Sequence, residues 1–117
     1  MWLRIAAIFM FLAVALGAFG SHALKAKLDA YSLDVYKTAV LYHLIHALGL
    51  FVVFYLSTLK SDPKIQWAGI LLVSGIILFS GSLYLLAITG QKWLGAITPL
   101  GGLSFLAAWI LIALVKV

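Results

Sequence analysis

The chain contains no cysteine, only two prolines, and few charges: eight Lys or Arg and three Asp or Glu among 117 residues. Without cysteine there is no disulfide framework, no thiolate metal site and no thiol nucleophile, and cysteine usage leaves the redox compartment open. Charged residues make up 9%, against about 25% in ordinary globular chains. A soluble domain of this length needs a polar surface that such a composition cannot supply. Disorder is excluded as well, because apolar residues reach 66%. No basic face is clustered, so nucleic acid is not an expected partner. No acid lies inside the apolar stretches, which removes any Ser-His-Asp constellation or carboxylate pair. Gly101-Gly102 has neither the preceding strand nor the lysine of a phosphate loop. These absences argue against an enzyme and imply no cofactor. No Arg- and Ser-rich leader is present.

What is present is apolar sequence in four blocks. The charges fall at Arg4, from Lys25 to Lys37, from Lys60 to Lys64, at Lys92 and at Lys116. A helix rises about 1.5 Å per residue, so about 20 residues cross a hydrocarbon core of ~30 Å. Spans are read at residues 2–21, 38–59, 66–89 and 99–115. Runs such as Ile70-Leu71-Leu72-Val73 do not alternate as barrel strands would. The expected fold is all-α: a single integral domain, residues 1–117, forming a four-transmembrane-helix bundle. Four crossings put both termini and the Lys60–Gln66 connection on one side, side A. The segment His22–Lys37 and the turn Gly90–Ile97 lie on side B. Trp2 and Trp67 fall at the A boundary and Trp93 at the B boundary, an aromatic belt. Arg4, Lys60, Lys64 and Lys116 on side A balance Lys25, Lys27, Lys37 and Lys92 on side B, so the positive-inside rule leaves orientation open. The net charge of +5 suits anionic headgroups. Arg4 and the apolar run after it also resemble a signal peptide, with small residues at Ala15-Leu16-Gly17 or Gly20-Ser21. The run is longer than a usual h-region of about 7–15 residues.

Leu24, Leu28, Tyr31 and Val35 recur at helical spacing, with Lys25, Lys27, Asp29 and Asp34 elsewhere on the wheel. This predicts a short interfacial amphipathic segment between spans one and two, with Ser32 as the N-cap of the helix leading into span two. Asp62 is an N-cap and Pro63 a first helical residue for span three. Thr98 and Pro99 repeat the pattern at span four. Ala6, Ala13, Gly17 and Gly20, Gly75 and Gly81, and Gly101-Gly102 offer small faces for close packing. Gly101-Gly102 could alternatively give a ligand a backbone surface.

Polar residues concentrate near side B. His43 and His46 lie five and eight residues into span two, roughly 7 and 12 Å below that boundary. Tyr42 shares their face. Ser80 and Tyr84 lie near the B end of span three, Thr98 opens span four, and His22 closes span one. Unpaired polar groups are costly in hydrocarbon, so His43 and His46 are expected to face inward, with Ser80, Tyr84 and Thr98 as partners. Three readings stay open. The groups could form structural interhelical hydrogen bonds. They could line a polar pocket open to side B that binds an ion, a headgroup or a proton. His22, His43 and His46 could form a weak metal or haem site. The corresponding roles are a structural, assembly or accessory protein, or a small transporter, channel component or ligand-binding protein. A homo-oligomer or another membrane protein is a possible partner.

Four landmarks carry a resemblance: Phe19-Gly20-Ser21-His22-Ala23-Leu24; Thr38-Ala39-Val40-Leu41-Tyr42-His43-Leu44-Ile45-His46-Ala47-Leu48; Phe79-Ser80-Gly81-Ser82-Leu83-Tyr84-Leu85; and Gly95-Ala96-Ile97-Thr98-Pro99-Leu100-Gly101-Gly102. In order and spacing the chain, from about Ala15 to Leu111, resembles the family of small multi-pass membrane proteins that includes transmembrane protein 256 and bacterial inner-membrane relatives. The resemblance implies a helical protein of the bacterial inner membrane. It implies no reaction, substrate or cofactor.

Overall fold

The computed structural model describes every residue from Met1 to Val117. Four helices are long and apolar enough to cross a bilayer: α1, Trp2–Leu24; α2, Ala30–Leu59; α3, Pro63–Thr89; and α4, Thr98–Leu114, entered through a 3-10 turn at Lys92–Ala96. There are no strands. Lys60 Nζ donates to the Lys116 carbonyl at 2.6 Å, and Trp2 Nε1 donates to Gln66 Oε1 at 2.9 Å. These bonds hold both chain ends and the α2–α3 turn at one end of the molecule, side A.

The helix starts obey local chemistry. The Asp62 carboxylate accepts the Lys64 N–H, and Pro63 occupies the first turn of α3, where its missing N–H costs nothing. The other two expected caps are corrected. Asp29, not Ser32, caps α2, accepting the Ser32 N–H at 2.7 Å. Thr98 does not cap α4, because Ile97 precedes the helix and the Thr98 hydroxyl faces Ser82 instead. Gly90 ends α3 in the left-handed region, φ 72°, which a residue without Cβ adopts freely.

The polar stretch between the first two spans forms no separate helix. Ser21–Leu24 continue α1, residues 25–29 turn, and Ala30 onward is continuous with α2. At 30 residues α2 is about 45 Å long, well beyond a ~30 Å core, so its charged first turns reach past the hydrocarbon. Tyr31, read as part of the apolar face, is exposed, whereas Tyr36 is buried and donates its hydroxyl to the Leu16 carbonyl at 2.6 Å.

Packing divides in two. Trp2, Ala6, Leu50, Val53, Leu72, Phe105 and their neighbours form the larger core. Ala39, Leu83, Leu86 and Leu94 form a smaller one toward side B. Trp67 and Trp93 are exposed, as belt residues should be, but Trp2 is buried against Gly69. Its indole N–H reaches the side chain of Gln66, an exposed residue in the first turn of α3, and Gly69 leaves the room.

Two wide π-helical turns interrupt the α ladders, Ala15–Gly20 in α1 and Ile76–Gly81 in α3. Both helices run from side A to side B, and both turns close at a Gly-Ser step. Such turns redirect carbonyls and side chains and recur at functional positions.

Candidate functional site

Between the two cores lies a layer of polar side chains, and each member is positioned by a helix–helix contact. His43, on α2, is 3% exposed. Its Nδ1 lies 2.9 Å from the Tyr84 hydroxyl of α3, and its ring meets the edges of Phe9 and Tyr84. Ser80, fully buried inside the α3 π-turn, donates to the Ala39 carbonyl of α2 at 2.9 Å. The Ser82 and Thr98 hydroxyls are 2.7 Å apart and join α3 to α4. The layer therefore draws on three of the four helices through side-chain pairs, and on α1 through the Tyr36–Leu16 bond.

The predicted residues are thus only partly brought together. Tyr84 partners His43. Ser80 and Thr98 hydrogen-bond to neither histidine; they bond to the Ala39 backbone and to Ser82. Tyr42 offers its backbone carbonyl to His46 Nδ1 at 2.7 Å, while its ring lies half outside, tilted against Phe79 and parallel to the imidazole. His22 is exposed at the end of α1, and no group of three His, Cys, Asp or Glu side chains converges anywhere to hold a metal.

The two histidines, three residues apart, turn to different neighbours. His43 faces α1 and α3. His46 faces α4, its ring stacked on Phe105 with centroids 3.5 Å apart and Trp109 at 5.8 Å. Neither ring lines the hollow on side B. The side-B surface carries a separate hollow of about 620 Å³ lined by Asp29, Tyr31, Ser32, Leu86, Lys92 and glycines. There the Ser32 N–H holds the Asp29 carboxyl below the usual carboxylate range. A second hollow, about 530 Å³, includes His46 and the rings of Tyr42, Phe79, Phe105 and Trp109, and it opens on the side of the bundle.

One buried polar atom has no partner at all, Nε2 of His43. Sequence reasoning pointed to this ring but missed three other contributors. Tyr36 was hidden in the charged segment. Ser104, which donates to the Leu71 carbonyl at 2.7 Å, sits in an otherwise aliphatic stretch. Ser82 was overlooked as the partner of Thr98, although Gly81-Ser82 repeats the Gly20-Ser21 step of α1.

The family described as "Protein of unknown function (DUF423)" matches residues 16–102. A Bacillus subtilis (strain 168) protein named UPF0382 membrane protein YwdK is 51% identical over 107 residues, covering 91% of this chain and 87% of the relative. UPF0382 membrane protein SH2409 of Staphylococcus haemolyticus is 46% identical over 101 residues, covering 86% and 82%. A Staphylococcus saprophyticus relative, UPF0382 membrane protein SSP2132, is 44% identical over 103 residues, covering 88% and 85%. No solved structure matches the chain.

Proposed function

The chain belongs to the DUF423 family and is an integral, multi-pass protein of the bacterial membrane; from that premise we propose that it serves there as a structural or accessory protein rather than a catalyst. One observation carries the reading. The hydroxyls of Tyr36, Ser80, Ser82, Tyr84, Thr98 and Ser104 all join one helix to another. Such bonds contribute about 1 kcal/mol each within a bilayer. Their arrangement suits a rigid small bundle presenting apolar faces to lipid or to another membrane protein, a second copy included. Basic residues at both ends suit anionic headgroups.

The test compares abundance with activity in a deletion strain. Ser80→Ala and Ser104→Ala are expected to lower thermal stability in detergent, and complementation is expected to track the amount of folded protein. A variant that accumulates normally and fails to complement would contradict the structural role of that group.

The bare Nε2 of His43 supports a second reading, a small transporter or channel component whose site includes this ring. A buried polar atom without a partner is uncommon and invites a water, an ion or a proton. Proton or cation flux into proteoliposomes that disappears in His43→Leu would favour it. Equal, background-level flux from both proteins would remove it.

A further inference from the structure

His46 makes a different kind of site. Its Nδ1 lies 2.7 Å from the Tyr42 carbonyl oxygen. A carbonyl only accepts, so Nδ1 carries the hydrogen. The three acids, Asp29, Asp34 and Asp62, all lie at or near helix starts, so no counter-charge supports an imidazolium at this depth. In the neutral ring Nε2 is then a bare acceptor with a fixed direction. No protein donor reaches it. Of the buried side-chain atoms, only His43 Nε2 is sealed without a partner, so the Nε2 of His46 keeps access to the hollow that its residue lines. Phe105 stacks on the imidazole at 3.5 Å and 10°, which prevents the ring from turning away.

The hollow around it has a definite chemistry. Aromatic rings of Tyr42, Phe79, Phe105 and Trp109 form its walls, and Gly102 leaves one side open to the backbone. Leu103 and Leu106 on its rim are 63% and 62% exposed on a helix that spans the bilayer, so the mouth faces hydrocarbon and not water. A ligand must therefore arrive dissolved in the membrane. It must bring a donor for Nε2, because an acceptor would leave both groups unpaired. Flat walls favour a flat ring over a flexible chain. The volume, about 530 Å³, is in the range of a small-molecule site and takes a head and the start of a tail.

We propose that the lateral groove of α2, α3 and α4 binds a membrane-soluble phenol or hydroquinone through a hydroxyl that donates to Nε2 of His46. The site is separate from the His43–Tyr84 pair and does not depend on the structural role of that pair.

The test uses the full chain in lipid nanodiscs and two probes, a decyl-substituted hydroquinone and its dimethyl ether, which keeps the ring and tail but has no donor. Binding is read from the ring-nitrogen NMR signals of His46, assigned by substitution, and by calorimetry. The hydroquinone is expected to bind saturably and about tenfold more tightly than the ether, the factor that one hydrogen bond supports. His46→Phe keeps a stacked ring without the acceptor and is expected to bring the hydroquinone down to the ether's affinity while leaving the ether unchanged. Gly102→Leu, which adds bulk to the groove and keeps the imidazole, is expected to weaken both and guards against a misfolded His46→Phe. Equal affinities for the two probes would overturn the proposal and leave an acyl-chain groove. So would absence of binding, or efficient cross-linking of a Leu103→Cys chain to a second copy across this face.

Discussion

At the scale of single residues, the pairing of His43 with Tyr84 has a measurable cost. Tyr84→Phe removes the only partner of a ring whose other nitrogen already has none. Leaving a buried polar group unpaired costs about 1–3 kcal/mol. Replacing both partners, as in His43→Leu with Tyr84→Phe, is expected to cost less than the two single changes added, measured by reversible unfolding in micelles. Additive costs would show that the pair does not interact. The helix caps give a pH dependence. The Lys64 N–H, helped by the Lys64 ammonium 3.4 Å away, holds the Asp62 carboxyl below its usual value, and the Ser32 N–H does the same for Asp29. A depressed folded value means the stabilisation is present above the unfolded pKa of about 3.9 and is lost as the pH falls through the folded value. The amide shifts of Ser32 and Lys64 are expected to stay constant at neutral pH and to move only below about pH 4. Asp62→Asn caps as a neutral amide and is expected to flatten the Lys64 response. That the histidines face inward was legible from the cost of polar atoms in hydrocarbon. Which hydroxyl each would meet was not, because Ser80 and Tyr84 are one helical turn apart and only the rotation of α3 decides between them.

At the scale of elements, the spans were legible because composition alone separates them, and so was the close packing at Gly17, Gly20, Gly75 and Gly101, though not at Gly81 or Gly102, which stay open. The π-turns were not. Each adds a residue to its turn and rotates the rest of its helix by about 100° relative to an unbroken one, so a strict 3.6 periodicity misassigns the faces of α1 and α3 beyond Ala15 and Ile76. The interfacial segment was only partly legible: of Leu28, Tyr31 and Val35, Val35 packs against the smaller core while Tyr31 is exposed, because the cap at Asp29 starts a helix whose first buried residue is Tyr36. The crossing of α3 and α4 gives a sharp contrast. A methyl at Gly101 would collide with the Phe79 backbone, whereas one at Gly102 meets nothing closer than 3.9 Å. Backbone cannot yield as a side chain does. Gly101→Ala is therefore expected to cost about 1–3 kcal/mol, the range for overpacking, and Gly102→Ala to be near neutral in thermal unfolding of the detergent-solubilised protein. Similar losses at both positions would mean that the two helices are not in this register.

At the scale of the whole molecule, charge and packing determine different things. Packing places Lys60 against Lys116 and Trp2 against Gln66, so the termini share a face however the bundle sits in the bilayer. The balance of basic residues is expected to choose which face that is. Arg4, Lys60, Lys64 and Lys116 oppose Lys25, Lys27, Lys37 and Lys92 in equal number, and acidic residues contribute little to the choice. An even count leaves insertion sensitive to small changes in either direction. Replacing Lys27 and Lys92 with Gln leaves four basic residues against two, and the termini are then expected to face the cytoplasm. The absence of native cysteine makes this directly readable. A single cysteine at Val117 should become protected from an impermeant thiol reagent in intact cells, and one at Ala26 should become reactive. The converse pair, Lys60→Gln with Lys64→Gln, should reverse the pattern. If Val117 and Ala26 react from the same side in any of these chains, the number of crossings between them is even, not three, and the bundle does not thread the membrane four times. If neither substitution pair moves the pattern, orientation is governed by something other than the balance of basic residues, and the headgroup contacts at the two ends are not equivalent.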